Sequence, residues 1–201
     1  MDLKEKTLKS NEVFSGRLLH VFDDEVELPN GHTSRREIVR HTGGACVCAV
    51  NDAMEVAFVR QYRYAYADEI LELPAGKVEK GEDPYQCAVR ELREEVGLVT
   101  DQLVPLGAMY PSPGYTDEII YMYLAVNARP AEQDLDPDEF VEVEYIPLGD
   151  ALSMVMRSEI LDAKTQLALL KTYLTLQMLG ENAEAIMAAE AASAAMAGEA
   201  E

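Results

Sequence analysis

The chain is 201 residues long, with 37 Asp and Glu against 17 Lys and Arg and a formal net charge of −20. That length fits one domain, two at most, and can bury a core without a disulfide or a structural metal. The acidic excess excludes a nucleic-acid backbone or an anionic membrane as an expected partner, since phosphate binding takes clustered Lys and Arg.

Met1 to Ser10 alternates charge and has no apolar centre, so it does not read as a secretory signal. No apolar run reaches the ~18 residues of a membrane span. Next, Val13 to Val21, Asp24 to Leu28 and Arg35 to Arg40 read as strands, with Pro29-Asn30-Gly31 as a turn. Ala45 to Asn51 and Glu55 to Gln61 follow, joined by Asp52-Ala53-Met54, and then Glu69 to Leu73. Cys46, Cys48 and Cys87 have no paired spacing and read as buried thiols in a reducing cytoplasm. Pro84 to Val96 is the first clear helix. Asp83 can cap it, Pro84 suits its first position, Gln86 can complete a capping box, and Gly97 can end it.

Leu103 to Met109, Ile119 to Val126 and Val141 to Ile146 read as strands. Leu148 to Met156 and Lys164 to Leu179 read as helices, the second with Leu167, Leu170, Leu174 and Met178 as one apolar stripe. Residues 181–201 are almost only Ala, Glu and Met and have little to bury, which predicts a frayed or disordered tail. Strands, one helix, more strands and then helices make an α+β class chain, an α/β/α sandwich, rather than a regular βαβ array. His20, His32 and His41 fit no motif and read as ordinary surface or turn histidines.

At about 100° per residue, Glu91, Glu94 and Glu95 share one face of the predicted helix, beside an apolar face of Tyr85, Ala88, Val89, Leu92 and Val96. Like charges at i and i+4 repel, and the helix dipole disfavours acids in a last turn. Such a cluster is locally unfavourable unless a cation compensates, and hard oxygen ligands suit Mg²⁺ or Mn²⁺. Arg90 and Arg93 offer the alternative, a salt-bridged solvent face.

The surroundings decide between these readings. Gly76, five residues, Glu82, seven residues, Arg90-Glu91-Leu92, one residue, Glu94-Glu95, one residue and Gly97-Leu98 match every position of the pattern G-x5-E-x7-R-E-U-x-E-E-x-G-U. The chain thus resembles the Nudix hydrolases. Arg60 to Tyr64, Glu72 to Gly76 and Ser112 to Glu118 make it most similar to the ADP-ribose pyrophosphatase branch, as does Pro113, 16 residues after Gly97.

The resemblance implies a Nudix fold with a mixed central sheet, antiparallel N-terminal strands and C-terminal helices. It implies hydrolysis of a nucleoside diphosphate linked to a second moiety; for ADP-ribose the products are AMP and ribose 5-phosphate. GDP-mannose is the alternative substrate. A sensor that binds ADP-ribose without cleaving it is the alternative class, but a sensor would be expected to have lost box glutamates. By position, Glu91 and Glu95 stand as the main Mg²⁺ (or Mn²⁺) ligands, with Glu94 nearby and the Ala75 carbonyl completing the site. Gly76 and Gly97 shape the loops, Glu82 ties the first loop to the helix, and Arg90 orients the glutamates.

The base in this branch lies on a loop before the last strand, and Glu139 is the choice, with Asp138 and Glu142 as competitors and Glu94 as a second catalytic candidate. The same loop also reads as a solvated acidic turn. Arg36 and Arg63 match nucleotide-contacting positions, where guanidinium can fork onto phosphate or stack on adenine. Glu118 can accept from a ribose hydroxyl. Three regions are expected: 1–43, N-terminal strands exchanged in a homodimer; 44–180, the Nudix hydrolase domain; and 181–201, the tail. The expected partners are a small nucleotide-sugar substrate and a second subunit, with neither nucleic acid nor membrane.

Overall fold

In the computed structural model, residues 2–137 and 139–181 are described. They divide into two units, Met1–Gly43 with Tyr110–Ile119 and Gly44–Met109 with Ile120–Glu201.

The first unit is an antiparallel sheet of β1 (Lys6–Lys9), β2 (Glu12–Ser15), β3 (His20–Glu27) and β4 (Thr33–Arg40). One edge of β3 pairs first with β2 and then with β1, while its other edge pairs along its whole length with β4. Val13 to Val21 is therefore not one strand. Gly16 donates its N–H to the Leu19 carbonyl and turns the chain, so β3 begins at His20 and runs unbroken through Asp24. The connection 28–32 is the expected turn, with the Gly31 N–H donated to the Leu28 carbonyl.

The second unit is a mixed sheet between two helical layers. It contains β5 (Gly44–Val50), β6 (Glu55–Arg63), β7 (Asp68–Glu72), β8 (Ala75–Lys77), α1 (Pro84–Val96), β9 (Leu98–Val99), β10 (Leu103–Met109), β11 (Ile120–Val126), β12 (Arg129–Pro130), β13 (Val141–Pro147), α2 (Leu148–Met156) and α3 (Ala163–Glu181). The main order is β10-β11-β5-β6-β13, with β7 on β6 and β8 on β5, and only the β11–β5 pair is parallel.

β5 is buried at every position, because successive side chains enter opposite layers. Ala45, Val47 and Ala49 pack with Cys87, Ala88, Leu92 and Val96 of α1. Cys46, Cys48 and Val50 pack with Leu148 and Ala151 of α2 and Ala168 and Leu169 of α3. Cys46, Cys48 and Cys87 are free and buried, and burial pushes each thiol up to about 12.

α1 has the predicted bounds: the Asp83 carboxylate accepts the Tyr85 N–H, Pro84 opens the helix, and Gly97 closes it at φ 62°. Gln86 stays exposed.

The apolar stripe of α3 is not the one its large residues suggest. Thr165, Ala168, Leu169 and Thr172 are the buried face; of the expected stripe Leu167 packs against the core, whereas Leu170, Leu174 and Met178 are exposed by 41%, 58% and 59%. The helix lies against β5, β10 and β11, where close approach favours small side chains. The three-residue β8 and the two-residue pair β9–β12 are too short for a periodicity signal. No helix among the described residues is long and apolar enough to cross a membrane. The expectation for the tail falls outside the described residues beyond Glu181.

Candidate active site

Packing α1 against β5 and β8 places the helix face that carries the glutamates against the linker from β7 to β8. Glu91 is 6% exposed and Glu95 3%. Glu95 accepts the Ala75 N–H at 2.7 Å, and Gly76 lies against the Glu91 carboxylate so closely that a Cβ there would overlap it. Burial pushes Glu91 up to about 7 and Glu95 up to about 8. Arg90 draws Glu91 back down, while Glu91 and the nearby Glu139 push Glu95 further up.

Arg90 is the hub of the helix. Its Nε and Nη2 donate to the two Glu82 oxygens at 2.9 and 3.1 Å, and its Nη1 donates to Glu91 at 2.7 Å and Glu94 at 2.8 Å. Glu82 also accepts the Glu79 N–H, which closes the loop before α1. The bond to Arg90, with help from this N–H, holds Glu82 below the usual carboxylate range.

The loop 131–140 is fastened to the C-terminal end of α1. Ala131 N–H donates to the Gly97 carbonyl, and Asp134 N–H to the Glu94 carbonyl. Gln133 Nε2 donates to the Glu95 carbonyl at 2.6 Å. This anchoring brings Glu139 near enough to raise Glu91 and Glu95. Glu139 is exposed and lines a cleft of about 430 Å³ with Arg60, Tyr62, Phe140 and Glu142. Asp138 lies outside the described residues.

Arg63 grips Glu72 with two bonds, 2.6 Å from Nε and 2.8 Å from Nη2. Arg36 and Glu118 belong to the first unit. Arg36 donates to both oxygens of Glu5, and Glu118 lies 3.4 Å from His41 Nδ1. His41 also accepts the Gly43 N–H, and His20 pairs with Glu12, so these two histidines are structural. Sequence reading missed Gln133, Glu72 and Lys164. Two signals could have found Glu72: its place at the head of the family-like stretch Glu72 to Gly76, and its position between Leu71 and Leu73.

Does this site suit a divalent cation? Among the described residues no three His, Cys, Asp or Glu side chains already converge as a metal cage, and Arg90 occupies oxygens of Glu91 and Glu94. The donor chemistry nonetheless fits. Two carboxyls are buried side by side, burial raises both above the usual carboxylate range, and the neighbouring backbone has no side chain at Gly76. A divalent cation would favour their ionised form, as hard oxygen ligands require.

The acidic face of a helix flanked by two loops, inside an α/β/α sandwich, is the mark of a class of cation-dependent hydrolases. Residues 40–166 match the family model described as NUDIX domain, and residues 5–39 match one described as nucleoside diphosphate sugar hydrolase N-terminal domain. The chain belongs to the Nudix hydrolase superfamily, whose members generally use divalent metal ions. It is 45% identical to the ADP-ribose pyrophosphatase of Bacillus subtilis (strain 168), over 83% of this chain and 91% of that protein. It is likewise 45% identical to the methanol dehydrogenase activator of Bacillus methanolicus, over 87% of this chain and 94% of that protein. A solved structure described as an ADP compounds hydrolase shares the fold, with a TM-score of 0.78 at 24% identity over 89% of this chain and 97% of that one.

Proposed function

We propose that the chain hydrolyses the diphosphate of ADP-ribose to AMP and ribose 5-phosphate, with Mg²⁺ as the cation and Mn²⁺ as a substitute. Two relatives described as ADP-ribose pyrophosphatases, at 45% and 33% identity, support this reading, beside one described as a dehydrogenase activator at 45%. The observation that carries the hydrolytic reading is the buried Glu91 and Glu95 pair against Gly76, with every acidic residue of the box present.

Glu91, Glu95, Glu94 and the Ala75 carbonyl would hold the cation. When bound, it neutralises the diphosphate and makes a water more acidic. Arg90 keeps Glu91 and Glu94 in position from its fixed seat on Glu82. Arg63 binds a substrate phosphate, and Arg36 and Glu118 serve the nucleotide and a ribose hydroxyl. Glu139 takes the proton of the attacking water, with Glu94 as the second candidate. The water oxygen joins a phosphorus, the bridging P–O bond breaks, and the departing phosphate keeps its electron pair.

Residues 44–180 act as the catalytic domain and residues 1–43 as strands exchanged between the subunits of a homodimer. The separate N-terminal family match supports a nucleotide-sugar substrate. Three free, buried cysteines support a reducing cytoplasmic setting. A panel of ADP-ribose, GDP-mannose, ADP-glucose, NADH and coenzyme A with Mg²⁺ tests the substrate. ADP-ribose is expected to give the highest kcat/KM; a flat response or a lead for GDP-mannose overturns the assignment.

A further inference from the structure

The linker that delivers Ala75 and Gly76 to the site is held from the far layer of the sandwich by the first turn of α3. Asp162 caps that turn, accepting the Thr165 N–H at 2.9 Å. The Thr165 hydroxyl, fully buried, accepts the Leu73 N–H at 2.9 Å. Beside it, Lys164 Nζ pairs with Asp162 at 3.0 Å and with Glu72. The Glu72 side chain is 3% exposed and the Lys164 side chain 12%. The Glu72 carboxylate also takes the fork of Arg63, Nε on Oε1 and Nη2 on the same Oε2 that Lys164 meets, and the Arg63 charge is close enough to Glu95 to lower its pKa.

A buried carboxylate with one cationic partner is costly, and removing either partner leaves an uncompensated charge. Glu72 has two cations, one 12% and one 40% exposed. Two of the donors of Arg63 are fixed, leaving Nη1 outside the fork. Arg63 is therefore held by Glu72 rather than free in solvent, and the other cation on Glu72 is a lysine 101 positions later in the chain than Arg63.

We infer that Lys164 is a positioning residue for substrate binding: through Glu72 it aims the Arg63 guanidinium at the phosphate that the cation site receives. The inference rests on the proposed phosphate contact of Arg63. An arm aimed in advance loses less conformational freedom when it binds, so its loss should appear in KM before kcat.

The test is a cycle of Arg63→Ala, Lys164→Met and the double variant, read as KM and kcat for Mg²⁺-dependent ADP-ribose hydrolysis, with thermal midpoints alongside. Arg63→Ala and Lys164→Met are each expected to raise KM about tenfold or more while kcat changes less than threefold. The double variant is expected to be no worse than Arg63→Ala alone, because both act through one contact. A lower midpoint for Lys164→Met with unchanged KM makes the lysine merely structural and overturns the inference, as do additive effects. An unchanged KM in Arg63→Ala instead removes the phosphate contact itself, and the inference with it. Should Lys164→Met not fold, Glu72→Gln, which leaves Lys164 paired with Asp162, has to show the same rise in KM; a normal KM there overturns the inference.

Discussion

Replacing Gly76 with alanine separates the fold from the chemistry. The backbone at Gly76 is not in the left-handed region, so alanine is conformationally allowed and constrains the unfolded chain, a gain of about 0.4–1 kcal/mol. Its methyl group would overlap the Glu91 carboxylate, the far end of a flexible side chain that can swing away. That movement gives up the bond from Arg90 Nη1, worth about 1–2 kcal/mol for a charged, partly exposed partner. Arg90 keeps Glu82 and Glu94. The loss exceeds the gain, so the net is a destabilisation of about 1 kcal/mol, or ~2–4 °C off the midpoint for a domain of this size.

The consequence for the reaction is larger. A ligand carboxylate displaced by an ångström or more should cost about 10²-fold in rate. Calorimetric Mg²⁺ titration and initial rates on ADP-ribose, compared with a thermal melt, read both effects. A Gly76→Ala protein with kcat/KM within threefold of the wild type would refute the reasoning, because it would mean that the position of Glu91 does not matter.

Three further outcomes follow from the same geometry. Glu95→Gln should keep the Ala75 bond through its amide oxygen and stay folded, yet lose Mg²⁺-dependent turnover; near wild-type rates would remove Glu95 from the cation site. Glu139→Gln should lower kcat by about 10²-fold or more, and a drop below fivefold moves the base to Glu142 or Glu94. The raised carboxyls also set a pH dependence. Glu91 and Glu95 favour the fold most below their ordinary value of 4.5, and that contribution is lost as pH rises through about 7 and 8. In EDTA the thermal midpoint should therefore fall between pH 5 and 8.5. Mg²⁺, which binds the ionised pair, should offset that fall most at the alkaline end. A metal-free midpoint that rises over this range contradicts the burial argument.

Much of α1 could be read from the chain. Asp83, Pro84 and Gly97 mark both ends of α1, and Glu91, Glu94 and Glu95 share a face simply because of helical spacing. Local rules extend no further than the local segment. The link from Glu72 to Lys164 joins residues 92 positions apart, and Gln133 reaches the Glu95 carbonyl from a loop whose acidic composition says nothing of its attachment. Large apolar residues misled the reading of α3, where the tight contact with the sheet buries Thr165, Ala168 and Thr172 and leaves Leu174 exposed. The long strand read at Val13 to Val21 failed because Gly16 turns the chain by a single backbone bond. The net charge of −20 was similarly uninformative about the site, since eight acidic residues lie between Glu132 and Asp150 and five more between Glu181 and Glu201, with no basic residue in either stretch.

The most direct test of the account takes metal-stripped protein, adds ADP-ribose with and without Mg²⁺, and resolves the products. AMP and ribose 5-phosphate are expected in equal amounts, formed only with the cation and not by Glu95→Gln. Turnover that persists without any divalent cation, or Mg²⁺-loaded protein that leaves ADP-ribose intact, would contradict it.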